Sequence, residues 1–108
     1  MQSEAMLNQL GYSPNDALVQ QMKRIEDNTV GYEKIRKHIL DLNKVLKVDN
    51  SFVAMSNTND CFKIKVEAKT PEASEEAHEK IKHFSDKFKV KLNRLENKDT
   101  YYIVGFNH

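Results

Sequence analysis

One amphipathic segment, residues 70–87, limits the folds open to this chain of 108 residues more than any other stretch. Thr70 is a suitable N-cap, and Pro71 suits the first helical position. Glutamates near the start and lysines near the end match the helix dipole. Its apolar residues recur every three or four positions along one stripe: Ala73, Ala77, Ile81, Phe84 and Phe88. This spacing predicts one helix with one buried face.

Two strand-like runs lie on each side of the predicted helix. Residues 51–56 and 61–68 precede it, and residues 88–92 and 101–106 follow it. The run 61–68 alternates apolar residues with charged ones, which is typical of a strand with one buried face. Short polar turns separate the members of each pair, as in hairpins. We therefore expect a ββαββ unit with a four-stranded, mostly antiparallel sheet and one central amphipathic helix.

The four predicted strands differ in how apolar their two faces are. The first and fourth are apolar on both faces, whereas the second and third carry lysines on one face. A strand that is apolar on both sides favours cover on both, and lysine is common on edge strands. We therefore expect the first and fourth strands at the centre of the sheet. The central helix covers one face, so the other must be covered by the N-terminal helices, a second copy or a partner.

The N-terminal part of the chain is predicted to be helical. Ser13 and Pro14 resemble a helix start, and Asp16 takes the place of the usual glutamate in a capping box. Residues 28–31 are poor helix formers and favour a break between two helices. The apolar spacing, however, is close to a heptad repeat and would suit one long helix over 14–47. We favour a helix pair and retain one long kinked helix as the alternative.

The chain divides into an arm and a body. We expect residues 1–12 to be a flexible arm or short helix, and residues 13–108 to be a single α+β domain. Within the domain, residues 13–47 are the helical part and residues 51–107 are the ββαββ part.

Composition and motifs argue against several classes of function. The three glycines are isolated, so no phosphate-binding loop is present, and Cys61 is the single cysteine. Glu75, His78 and Glu79 have a spacing that metal ligands on a helix use, but a solvated charged face explains them better. No serine has the context of a nucleophile. We predict no enzyme activity, no catalytic residues, no metal site and no cofactor.

The ends and the apolar runs of the sequence indicate where the protein functions. The N-terminus lacks the features of a signal peptide, and the longest apolar run, 101–106, is far too short to span a membrane. A lone cysteine suits a reducing compartment. We expect a cytoplasmic protein with no membrane contact.

Our leading prediction is a small non-catalytic protein-interaction module. We expect it to form a homodimer or to dock another protein through its N-terminal helices, the second face of the sheet, or both. The predicted partner interface consists of apolar residues in the N-terminal helices: Leu18, Met22, Ile25, Tyr32, Ile39 and Leu46.

The alternative prediction is binding of single-stranded nucleic acid to a surface of lysines and a tyrosine. Outward lysines of two strands, with a tyrosine of the last strand, would combine charge with stacking. The residues predicted for this surface are Lys63, Lys65, Lys89, Lys91 and Tyr101. The net charge of +1 and the small number of arginines make nucleic acid a less favoured partner than protein.

Overall fold

The computed structural model describes residues 2–46, 49–56, 59–95 and 99–106. Lys47, where the predicted helical part ends, and the last two residues of the chain lie outside this part. Four helices and four strands form in the described ranges, and the predicted α+β fold is confirmed. Their order is α1 (Gln2–Gln9), α2 (Asp16–Asn28), α3 (Tyr32–Val45), β1 (Phe52–Met55), β2 (Phe62–Lys65), α4 (Pro71–Phe88), β3 (Val90–Arg94) and β4 (Thr100–Phe106).

Helix α4 is the predicted amphipathic helix, and it begins as its sequence indicates. The Thr70 side chain accepts a hydrogen bond from the backbone N–H of Ala73, and Pro71 is the first residue. The apolar stripe faces the core. Its middle members, Ala77, Ile81 and Phe84, are buried.

The N-terminal helical part is broken at residues 29–31, so it forms two helices instead of one. The Thr29 hydroxyl donates a hydrogen bond to the carbonyl of Ile25, and the backbone of Thr29 is already extended. Gly31 takes a left-handed conformation, with φ of 63°, and precedes α3. The low helix propensity of this segment therefore outweighs its heptad-like spacing.

The start of α2 differs from the prediction. Helix α2 begins at Asp16 instead of Pro14, and its N-cap is Asn15, whose side chain accepts a hydrogen bond from Leu18 N–H. Asn is as good an N-cap as Ser, and Asn15 is the residue adjacent to the first helical turn.

The strand order of the sheet is β1-β2-β4-β3, and every neighbouring pair is antiparallel. The expectation that β1 is central was therefore wrong: β1 is an edge strand and β2, which carries Lys63 and Lys65, is central. The placement of β4 at the centre and of β3 at an edge was correct. A central strand can carry lysines here because their side chains point to the sheet face that no described helix packs against.

All four helices contribute to one core on one face of the sheet. Buried residues of each helix join the inward residues of the strands, which include Val53, Phe62, Ile64 and Ile103. Helix α1 also belongs to this layer, because Ser3 donates a hydrogen bond to Glu26 of α2 at 3.0 Å. The N-terminal helices thus pack on the same face as α4. The alternative in which they cover the second face was wrong.

Candidate functional site

The second face of the sheet carries aromatic and basic side chains in register. We call it the open face; it is formed by Phe52, Ala54, Lys63, Lys65, Lys91, Asn93, Thr100, Tyr102 and Val104. Phe52, Tyr102 and Val104 lie outside the core cluster, whereas Ala54, opposite Lys63, is buried at 8% exposed. No helix in the described part of the chain contributes to the core on this face.

Strand register sets two lysine–aromatic pairs side by side on the open face. Phe52 lies directly opposite Lys65, and Lys63 lies directly opposite Tyr102. Directly opposed residues of antiparallel strands have Cβ atoms about 5 Å apart. Lys63 and Lys65 both belong to β2 and point the same way, since strand side chains alternate between faces. Each of these two lysines thus has an aromatic residue as its cross-strand neighbour.

Among the described residues, Glu67 is an acidic side chain that pairs with a lysine of this surface. The Lys65 ammonium lies 3.3 Å from the Glu67 carboxylate, and the two side chains are 44% and 41% exposed. An ion pair this exposed contributes little to stability, so Lys65 can exchange Glu67 for another anion at little cost.

The lysines predicted for a binding surface separate into two groups. Lys63 and Lys65 lie on the open face, and Lys91 lies further along β3, opposite Gly105. Lys89 is instead the C-cap of α4, with φ of 55°, and is not part of a strand. The structure therefore places Lys63, Lys65 and Lys91 on the same face and Lys89 away from it.

Tyr101 lies on the core face, and the tyrosine of the open face is Tyr102. Tyr101 packs against the core and opposes Ile64, a fully buried residue. The placement of Tyr101 on the binding surface is therefore corrected. Strand alternation accounts for the assignment: Ile103 is buried, so Tyr101 shares its face and Tyr102 points outward.

A β-bulge shapes the end of the open face. Ile103 opposes Leu92 and Gly105 opposes Lys91, which leaves Val104 as an extra residue in β4. Val104 is 38% exposed. Its carbonyl accepts a hydrogen bond from Val30 N–H, and Val30 is 57% exposed. The open face thus ends in two adjoining exposed valines.

The predicted partner interface is part of the core of this chain. Met22, Ile25, Ile39 and Leu46 are fully buried, Tyr32 is 7% exposed, and Leu18 is half-buried against the same core. Side chains used in this way are not accessible to a partner. We therefore base no interface on them.

A polar cluster joins α4 to β4 on the covered side. His78 Nδ1 lies 2.6 Å from the Tyr101 hydroxyl, and His78 Nε2 lies 3.4 Å from the Asp99 carboxylate. The Arg94 guanidinium also lies near Asp99, at 3.5 Å, and above the Tyr101 ring. Burial raises the pKa of Tyr101; Arg94 opposes this rise and Asp99 adds to it.

The structure gives little support to a reactive cysteine or to a metal site. Burial, with a smaller contribution from Asp60, raises the pKa of the Cys61 thiol, which makes its thiolate scarcer at neutral pH. Among the described residues, no group of three or more metal-binding side chains is close enough to hold an ion.

A recess of about 610 Å³ lies between α3 and α4. His38 stacks on Phe88 at its edge, with ring centroids 3.7 Å apart. Acidic and basic side chains both line it, including Asp41, Glu79 and Lys87. Because the two signs are mixed, the recess favours neither an anionic nor a cationic ligand.

Comparison with known proteins gives no family for this chain. No protein-family description matches it, and no curated protein or solved structure was found to be similar to it. None of the helices in the described ranges is long and apolar enough to cross a membrane.

Proposed function

We propose that this protein is a non-catalytic binding module whose open face takes single-stranded nucleic acid. The observation that carries the proposal is the strand register, which sets Phe52 opposite Lys65 and Lys63 opposite Tyr102. Aromatic rings stack on bases of any sequence, and ammonium groups next to them neutralise phosphates. We expect binding with little sequence preference.

The charge of the open face favours this ligand over a second copy bound face to face. Lys63, Lys65 and Lys91 all project from this face, and in the described part of the chain Glu67 forms an ion pair with one of them, Lys65. Two such faces brought together would oppose lysines to lysines, which is destabilising. An anionic polymer has the complementary charge. This proposal reverses the order of preference drawn from the net charge and the small number of arginines, because the net charge of +1 averages over surfaces of different sign.

The experiment is titration of a fluorescently labelled oligothymidine or oligouridine with the protein, followed by anisotropy at several salt concentrations. Tyr102→Leu and Phe52→Leu remove one stacking ring each. We expect each to weaken binding about 5- to 150-fold, from the usual contribution of base stacking. Tyr102→Phe keeps the ring and should retain most of the affinity.

Salt dependence tests the role of the lysines separately. Lys63→Ala together with Lys65→Ala should lower the slope of log affinity against log salt by about 0.7 for each phosphate that is no longer neutralised. Lys23→Ala together with Lys82→Ala is the matched control, since both of these lysines lie on exposed helix surfaces. The proposal is abandoned if the oligonucleotide does not bind at low salt, or if the two double variants reduce affinity equally.

A second candidate function is docking of a protein partner at the far end of the open face. The adjoining exposed residues Val30 and Val104 favour it, because paired exposed valines suit an apolar contact. Val104→Lys should abolish such docking and leave binding at Phe52 and Tyr102 largely intact. We also propose that the protein is cytoplasmic, because a lone cysteine such as Cys61 suits a reducing compartment.

A further inference from the structure

The two edge strands of the sheet differ in whether side chains elsewhere in the chain bind their outward N–H groups. An edge strand presents unpaired N–H and C=O groups that can pair with another strand. At the β1 edge these donors are already bound: Val53 N–H donates to the Asn43 side chain at 3.0 Å, and Met55 N–H donates to the Tyr12 hydroxyl at 3.1 Å. Side chains therefore close the β1 edge against strand addition.

The outward N–H groups of the β3 edge have no comparable cover in the described part of the chain. Leu95 N–H donates a hydrogen bond to the Thr100 carbonyl, so the backbone groups of Leu95 point toward β4. Because backbone groups alternate in direction along a strand, those of Asn93 also point toward β4. Leu92 and Arg94 consequently turn theirs outward. No side chain among the described residues accepts a hydrogen bond from these outward N–H groups. At the start of the strand, the outward Val90 carbonyl accepts a hydrogen bond from the Ser85 hydroxyl.

We propose that β3 pairs with β3 of a second copy of this chain, antiparallel and about a two-fold axis at Leu92. This pairing would join the two four-stranded sheets into one eight-stranded sheet and leave both open faces on the same side. Unlike the face-to-face arrangement, it places no lysine directly opposite another lysine. The pairing does not depend on the ligand proposed above.

In this register no two like charges of β3 are directly opposed, whereas moving the axis to Lys91 opposes two lysines. With the axis at Leu92, Lys91 opposes Asn93 of the second copy and Arg94 opposes Val90. With Lys91 on the axis, two lysines would be directly opposed, which is unfavourable. The Arg94 guanidinium is drawn inward over the Tyr101 ring, away from the edge. The Arg94 side chain therefore leaves its own outward backbone groups uncovered at the β3 edge.

The test is sedimentation velocity from low to high micromolar concentration, with substitutions that change charge at an exposed position. A dimer has twice the monomer mass of 12.6 kDa. Asn93→Lys places a lysine opposite Lys91 twice per dimer and should raise the dimer Kd about 2- to 30-fold. Asn93→Glu should lower it by a similar factor. The double variant Lys91→Glu with Asn93→Lys should restore the dimer.

Asn50→Lys is the matched control, because it adds the same charge at an exposed position beside β1. It should leave the Kd unchanged. Amide exchange gives a second readout: Leu92 and Arg94 N–H should become protected as concentration rises, whereas Asn93 N–H is protected throughout. A protein that stays monomeric at high micromolar concentration, or a dimer indifferent to Asn93→Lys and Asn93→Glu, overturns the proposal.

Discussion

The Tyr101 hydroxyl lies 2.6 Å from Nδ1 of His78, and this contact ties the central strand β4 to helix α4. The next residue, Tyr102, points to the other face of the sheet, opposite Lys63. The two adjacent tyrosines therefore lie on opposite faces of the sheet. Tyr101 belongs to the packing of the fold, and Tyr102 belongs to the surface proposed to bind a ligand.

Tyr101→Phe removes the hydroxyl and should cost about 1 kcal/mol of unfolding free energy at neutral pH. In the wild type, burial raises the pKa of Tyr101 in the folded state, so its protonated form stabilises the fold. That stabilisation is complete below about pH 10 and is lost as pH rises above it. The difference between wild type and Tyr101→Phe should therefore shrink in alkali. Urea unfolding at about pH 8 and about pH 11 measures it.

Burial also raises the pKa of Tyr32, so the unfolding free energy of the variant should still decline in alkali. Identical pH dependence in wild type and Tyr101→Phe would contradict the assignment of a raised pKa to Tyr101.

Gly105→Ala should destabilise the fold strongly because of where the α2–α3 connection contacts β4. Gly105 has φ of +147°, and a Cβ there would lie 2.5 Å from the backbone oxygen of Val30. Backbone strain of this kind costs about 1–3 kcal/mol, and displacement of Val30 adds to it. Chemical denaturation measures the loss.

Gly11→Ala is the control for the contact, since Gly11 also has a positive φ but a Cβ there would meet nothing within 4 Å. We expect Gly11→Ala to cost less than Gly105→Ala. Equal losses would show that the approach of Val30 to Gly105 is unimportant.

Asn15→Ala should cost about 1 kcal/mol, because the Asn15 side chain caps α2 through Leu18 N–H. Ser13→Ala, two residues earlier, removes the cap suggested by the sequence pattern and should change stability little. Thermal unfolding of both variants compares them directly. A larger loss in Ser13→Ala than in Asn15→Ala would contradict the observed helix start.

Phe84→Ala should cost about 3–5 kcal/mol, since Phe84 is 3% exposed at the centre of the α4 stripe. Phe52→Ala should cost much less, because Phe52 is half-buried on the open face and lies outside the core. Urea unfolding gives both values. A loss for Phe52→Ala as large as that for Phe84→Ala would mean that the open face is an unrecognised part of the core.

Local patterns were sufficient for most elements of the fold. Thr70 and Pro71 predicted the start of α4, and alternation predicted the inward residues of β2. The cluster of poor helix formers near Thr29 predicted the break between α2 and α3. These features depend on interactions between residues close in the chain, so they can be predicted from the sequence.

The candidate site was predicted in part. Lys63, Lys65 and Lys91 lie on one face as expected, whereas Tyr101 does not. The aromatic members, Phe52 and Tyr102, were missed because their role depends on the register between β1, β2 and β4. A shift of one residue sends a strand side chain to the other face.

The sequence by itself determined which residues form helices and strands, because capping, propensity and periodicity act within a few residues of one another. Only the tertiary structure decided that β2 and not β1 is central, that every helix packs on one face, and that Asn43 and Tyr12 close the β1 edge. Those outcomes arise from contacts between residues far apart in the chain. Such contacts depend on the packing of the whole domain, which no local pattern encodes.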